Sequence, residues 1–255
     1  MTEKMTASAL FARLRQELAR LLRENGLEDE PVSITCRALS PEEAIGRTKR
    51  QDFPILTGKD IMIQAECRGC RGQAFTDAPA AFTGSLAEIM ALDLDHDPQA
   101  RGLFVAVLNA VCRYLGRCGD TVHCRCSGPE LCAGDARAYL QQHYPDLRRV
   151  TLVGYQPALL EMLATSGYQV RVLDLNPANI GQLRHGVTVE DGRTAMAGAI
   201  DHAELILCTG STLCNGTMVD YLGLDKEVLF FGITAAGAAS LLGLKRLCFA
   251  DRYPE

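Results

Sequence analysis

The sequence predicts an α/β protein: a doubly wound parallel sheet in the second half, preceded by a smaller α+β domain. Three observations lead there. The stretch Val150 to Asp174 reads as strand, glycine turn, helix, strand and acid, the first unit of such a sheet. Beyond it, short apolar runs alternate with helical patterns as far as Phe249. Ahead of it the pattern is mixed, with an alternating run at Pro31 to Leu39 and long helical segments on either side.

The elements follow in order. Ala7 to Arg23 places Leu10, Phe11, Leu14, Leu18, Leu21 and Leu22 on one helical face and ends near Asn25-Gly26. Pro31 to Leu39 sets Val32, Ile34 and Cys36 against Ser33, Thr35 and Arg37, which suits a half-buried strand. A polar stretch runs to Lys59, and Ile61 to Cys67 is the next strand. Cys67 to Ser85, CRGCRGQAFTDAPAAFTGS, has few periodic apolar positions and reads as a long loop, hence a functional candidate. A short helix is expected near Leu86 to Leu92. Asp93, Asp95, His96 and Asp97 resemble metal ligands, although a solvated loop with a helix cap explains them as well. Arg101 to Gly116 is apolar on most faces and should be a central helix. Asn109, its conspicuous polar residue, either bonds to backbone or points toward a ligand.

A helix from Pro129 to about His143 is broken at Pro145-Asp146, which places a domain boundary there: residues 1–146, then 147–255. In the second domain Leu159, Leu160, Met162 and Leu163 mark a helix, and Val170 to Leu173 a strand. Further strands are expected near Val187 to Val189, Glu204 to Cys208, Glu227 to Phe231 and Arg246 to Phe249. Helices over Arg193 to Ile200 and Ala235 to Leu242 lie between them.

Composition narrows the function classes. The 255 residues are nearly half hydrophobic and carry a net charge of -5, with no Lys/Arg-rich stripe, which argues against nucleic acid as the main partner. No apolar run is long enough for a membrane span, and the first residues lack a signal-peptide core. Eleven cysteines without a secretion signal point to reduced thiols and a cytoplasmic location.

In an open parallel sheet, ligands bind beyond the carboxyl ends of the strands. Here those ends are Gly154, Tyr155 and Gln156; Asp174 and Asn176; Thr209, Gly210, Ser211 and Thr212 with Asn215; and Gly232 with Thr234. Asp174 sits about twenty residues past the turn, the usual offset for an acid on a ribose hydroxyl. The turn has one glycine where a dinucleotide fingerprint has three, and Pro157 occupies the first helical position. Ser211 and Thr212 suit a helix cap or an anion contact. No hydrolase triad order or Walker lysine is present. Among the thiols, Cys67 and Cys70 have metal-knuckle spacing, and His123, Cys124, Cys126 and Cys132 supply further soft ligands. The candidate metal set is Cys67, Cys70, His123 and Cys124, with an oxidisable thiol pair as the alternative.

Six segments, RGCRGQAFTD (Arg68 to Asp77), LNAV (Leu108 to Val111), TVHC (Thr121 to Cys124), GYQP (Gly154 to Pro157), DLNPANIG (Asp174 to Gly181) and TGSTLCNGT (Thr209 to Thr217), resemble the "putative heavy-metal chelation" family. That resemblance implies an enolase-N-terminal-like domain followed by a Rossmann-like domain, with a site where the two meet. Arg71, Gln73, Thr76 and Asp77 would face Tyr155, Gln156, Asn176 and Ser211 there, with Asn109 and Asn179 completing the set. The implied function is binding of a heavy metal, or of a metal complex of a small organic ligand, with a divalent transition metal as the candidate cofactor. The competing reading is an enzyme using S-adenosylmethionine or a nicotinamide nucleotide; a scaffold for a protein partner is the third. A homodimer is compatible with all of them.

Overall fold

The computed structural model describes residues 5–27, 33–57 and 60–254. The expected strand positions Pro31 and Val32, and Gly58 and Lys59 of the polar stretch, lie outside the described residues.

The first helix, α1 (Ala7–Glu24), buries Leu10, Phe11, Leu14, Leu18, Leu21 and Leu22 and is capped by Thr6. Each such side chain contributes roughly 1.5–3 kcal/mol on burial, so packing rather than propensity holds the helix. Strand β1 (Ser33–Ala38) pairs antiparallel with β2 (Ile61–Cys67) and with β4 (Phe82–Ser85). The short helix α2 (Pro41–Ile45) opens on a Ser40/Glu43 capping box.

The long loop expected over Cys67 to Ser85 is a correction. It contains β3 (Cys70–Thr76), which pairs with β2 in register from Cys67↔Cys70 to Ile61↔Thr76. Arg68 and Gly69 form a two-residue hairpin turn with φ of 48° and 77°, a geometry that matches the strand twist. The alternation failed because β3 carries Gly72 and Gln73 at buried positions. Gly72 is required there: a Cβ would lie 2.2 Å from the Ala110 nitrogen and 2.4 Å from the Ala106 oxygen. Those atoms belong to α4 (Pro98–Tyr114), which lies directly on the antiparallel sheet β3-β2-β1-β4. Between sheet and α4 in sequence comes α3 (Leu86–Met90).

After α5 (Gly128–His143), the chain enters β5 (Arg149–Val153), α6 (Pro157–Thr165) and β6 (Gln169–Asp174). A hairpin follows, β7 (Leu183–Arg184) and β8 (Val187–Asp191), then α7 (Gly192–His202) and β9 (Leu205–Thr209). Two 3-10 turns (Gly210–Thr212 and Thr217–Tyr221), β10 (Glu227–Phe231), α8 (Ala236–Leu242) and β11 (Arg246–Leu247) complete the unit. The strand order is β11-β10-β9-β5-β6-β8-β7, parallel except for β7 at the edge. Without β7 this is the 3-2-1-4-5-6 order of a doubly wound sheet.

Alternation along the strands sorts the core. Val150, Leu152, Leu205, Leu207 and Leu229 pack under α5 and α6. Val153, Ile206, Cys208 and Phe230 face α7, α8 and, beyond them, α1 and α4. Helix α4 is therefore shared: one side meets the antiparallel sheet and the other meets α8.

Candidate functional site

The parallel sheet splits its connections at β5 and β9, and a crevice opens at their carboxyl ends. A cavity of about 880 Å³ lies there, closed from the other side by the antiparallel half of the chain. Thr76 and Asp77, at the end of β3, line it together with Tyr155, Asn176 and Ser211. Its walls are mainly apolar, with Phe53, Ile55, Leu159, Met196, Phe231 and Phe249 among them.

The glycine turn after β5 is built by Asp174. Gly154 has φ 85°, and a Cβ there would meet the Thr209 side chain at 2.5 Å, so no other residue fits between the two strand ends. Asp174 Oδ2 accepts from the Tyr155 N–H at 2.8 Å and from Asn179 Nδ2 at 3.3 Å, while its Oδ1 accepts from the Asn176 N–H at 2.6 Å. Gln156 caps α6 through the Leu159 N–H, with Pro157 at the first helical position. Thr209, Ser211 and Thr212 bond to one another around a 3-10 turn, and Asn215 Oδ1 accepts from Thr217. These polar groups shape the rim as much as they face the cavity.

Of the residues expected at the site, Thr76, Asp77, His123, Cys124, Gly154, Tyr155, Gln156, Asp174, Asn176, Thr209, Ser211, Thr212, Asn215 and Thr234 line the cavity. Arg71, Gln73, Asn109, Asn179, Gly210, Cys67 and Cys70 do not. Arg71 is exposed, and Gly210 is packed against Ala235. Gln73 acts one step back: its Oε1 accepts from the His123 N–H at 2.7 Å, and its Nε2 donates to Gln64. Asn109 is fully buried. Its Nδ2 donates to the carbonyls of Gln73 (2.9 Å), Ile233 (3.2 Å) and Thr234 (3.1 Å), and its Oδ1 accepts from the Gly237 N–H at 2.7 Å. Thr234 Oγ1 adds a bond from the Phe75 N–H. Asn109 is a rivet between the sheets, its amide bonded on both sides to backbone.

The four-residue metal set is not assembled. Cys67 and Cys70 flank the hairpin turn, whereas His123 packs edge-on against Phe75. Phe75 is five residues along β3 from Cys70, roughly 16 Å at the usual rise. Among the described residues no group of three or more His, Cys, Asp or Glu is arranged to hold a metal ion. The Asp93–Asp97 segment serves the fold: Asp97 caps α4, and Asp93 receives the Asp95 and His96 N–H groups.

Asp60, Asp77, Asp174, Asp220 and Arg193 are the charged residues that line the cavity. Burial, followed by repulsion from Asp174 and Asp77, pushes the Asp60 carboxyl from 3.8 up to about 6. Asp60 stood in the polar run before β2, where nothing local distinguishes it. His123 is held below its ordinary value by burial. Its Nδ1 lies 2.6 Å from the Cys124 carbonyl, which can only accept, so Nδ1 carries the proton and Nε2 the lone pair.

The residue 46–57 segment forms the outer wall. Arg50 bonds to Asp52, to Glu130 of α5 and to Glu161 of α6, and the Tyr155 hydroxyl donates to Asp52 at 3.2 Å. Burial, helped by the Asp52 carboxylate, pushes the Tyr155 phenol up to about 12.

Asp60 gives a pH test. Its folded pKa is raised, so the fold prefers the protonated acid: its contribution is fully present below about pH 4 and is lost as pH rises through 6. Asp60→Asn is expected to stabilise the protein at pH 8 by about 1–3 kcal/mol and to change little at pH 4. Thermal melts of both proteins at the two pH values check this; equal stability at pH 8 would refute it.

Residues 139–244 match the family model DUF364, described as "Putative heavy-metal chelation". The chain is similar in fold to the crystal structure of a protein with unknown function from the DUF364 family of Pyrococcus horikoshii. That match has a TM-score of 0.52 and 16% identity, over 89% of this chain and 79% of that one. A DUF364 protein of unknown function from Desulfitobacterium hafniense gives 0.48 and 13% identity over 72% of each chain. No curated protein matches.

Proposed function

We propose, taking as premise the family match over residues 139–244, that this protein binds a small organic ligand, or a metal complex of one, in the cavity between its two sheets. With a domain division at 146/147, the site is interdomain. The observation that carries the reading is the cavity itself. About 880 Å³ of mainly apolar space, with Asp60, Asp77, Asp174 and the neutral His123 on its walls, suits a ligand with a cationic or metal-bearing part and an apolar body. A bare metal ion suits it less, since the described residues offer no three-donor group. The ligand would bring its own donors, and the carboxylates would neutralise and orient the charge.

The nucleoside-cofactor reading is the weaker one. Asp174, its ribose acceptor, already accepts three hydrogen bonds from the turn and from Asn179.

The test is elemental analysis and mass spectrometry of protein purified without chelators, followed by titration calorimetry with whatever compound is recovered. Asp77→Asn is expected to weaken binding about tenfold or more, equivalent to about 1.4 kcal/mol. Unchanged affinity in Asp77→Asn, or stabilisation by an adenosine-containing compound alone, would overturn the reading.

A further inference from the structure

The cavity wall carries thiols that the ligand reading leaves unused. Cys124, Cys132 and Cys248 all line it, packed with Ile233, Ala250 and Tyr253. Cys124 lies in the segment leading into α5, and Cys132 is the fifth residue of that helix, near its positive end. All three are free thiols, and Cys132 is only partly buried. A Cβ built at Gly128 would lie 2.8 Å from the Cys124 Cβ, and Cys132 stands one helical turn beyond Gly128 on the same face of α5, so the two thiols are neighbours. Beside Cys124 the Cys132 thiol is held below its ordinary value, while Cys132 and burial push the Cys124 thiol up. Cys132, the less buried of the two, is the sulfur open to the cavity's contents, and Cys124 is buried beside it.

We propose that Cys124 and Cys132 form a thiol–disulfide exchange site in the cavity wall, with Cys132 as the attacking sulfur and Cys124 as the resolving one. The substrate class is a small-molecule disulfide, such as oxidised glutathione. The Cys132 thiolate attacks one sulfur of that disulfide; its S–S bond breaks and one small thiolate leaves. The Cys124 sulfur then attacks Cys132 in the mixed disulfide and expels the second small thiolate, which takes up the Cys124 proton. Two protein thiols are oxidised to one disulfide, and one small disulfide is reduced to two thiols.

The cavity supplies access, which sets this pair apart from Cys112 and Cys118. Those two also interact, but neither lines the cavity, and Cys112 is fully buried on α4. Cys248 is the neighbouring control, since burial pushes its thiol up to about 12.

The experiment treats the full chain with oxidised glutathione, quenches with an alkylating reagent and maps the cysteines by peptide mass spectrometry. The expected product is a Cys124–Cys132 disulfide that dithiothreitol reverses, with Cys132 alkylated at least about tenfold faster than Cys248 in the reduced protein. Cys124→Ser should trap glutathione on Cys132, and Cys132→Ser should leave Cys124 unmodified. Recovery of both as free thiols after oxidation, a disulfide joining another pair, or glutathione on Cys124 in Cys132→Ser would overturn the assignment. Melting curves establish that each serine variant folds; if one does not, the wild-type map decides.

Discussion

Replacing Asn109 with alanine should be among the most damaging single changes in this protein. The truncation leaves the Gly237 N–H and the carbonyls of Gln73, Ile233 and Thr234 without their shared partner at a position sealed from water. A buried polar group left unsatisfied costs about 1–3 kcal/mol, so a loss on the order of 3–5 kcal/mol is expected. For a chain of this size that lowers the melting temperature by roughly 6–15 °C. Asn109→Asp is the sharper control. It keeps the shape but replaces the donor with an oxygen facing three carbonyls, and should be at least as damaging as alanine. Calorimetric melts of both variants check this, and a shift under about 2 °C for Asn109→Ala would show that the rivet is dispensable.

A methyl group at Gly72 should be nearly as costly. The new Cβ would sit 2.2 Å and 2.4 Å from backbone atoms of Ala110 and Ala106, which belong to a buried helix and cannot swing aside. Overpacking of this kind typically costs 1–3 kcal/mol, and here β3 cannot lift away without breaking its bonds to Asn109 and Thr234. We expect Gly72→Ala to lose about 3 kcal/mol or to fail to accumulate as folded protein. Because Asn109 and Gly72 serve the same contact between α4 and β3, the double variant should lose less than the sum of the singles. Denaturant titrations of the four proteins measure that coupling, and strict additivity would refute the shared-contact account.

The parallel half was legible because its rules are local. Apolar strands of about five residues, Pro157 at a helix start and small residues over Ala235 to Leu242 each report their own conformation, and strand order follows from few alternatives. The antiparallel half was less so. The hairpin at Arg68-Gly69 does not carry the Asn-Gly or Asp-Gly pair that announces such a turn, and Gly72 and Gln73 hide the strand's buried face. Within the cavity, motif residues at strand ends were found. Asp60, Cys248 and the apolar wall were not, because each is defined by what the fold brings beside it rather than by its neighbours in sequence. Asn109 shows the converse: an amide in an apolar helix signals a demand for partners, but whether these are ligand or backbone atoms depends on chain segments more than a hundred residues away.

The fastening at Asn109 also divides the cavity's evolvability. Substitutions in the floor around Ile233, Thr234 and Gly237 would disturb four backbone atoms at once, so that surface is kept invariant in shape by the scaffold itself. The facing wall at residues 46–57 is held by side chains, the Arg50 guanidinium and the packing of Phe53 and Ile55 against Leu39, Ile45 and Met62, and offers Phe53, Pro54 and Ile55 to the interior. Divergence in what such a protein accepts would accordingly accumulate on the tethered side.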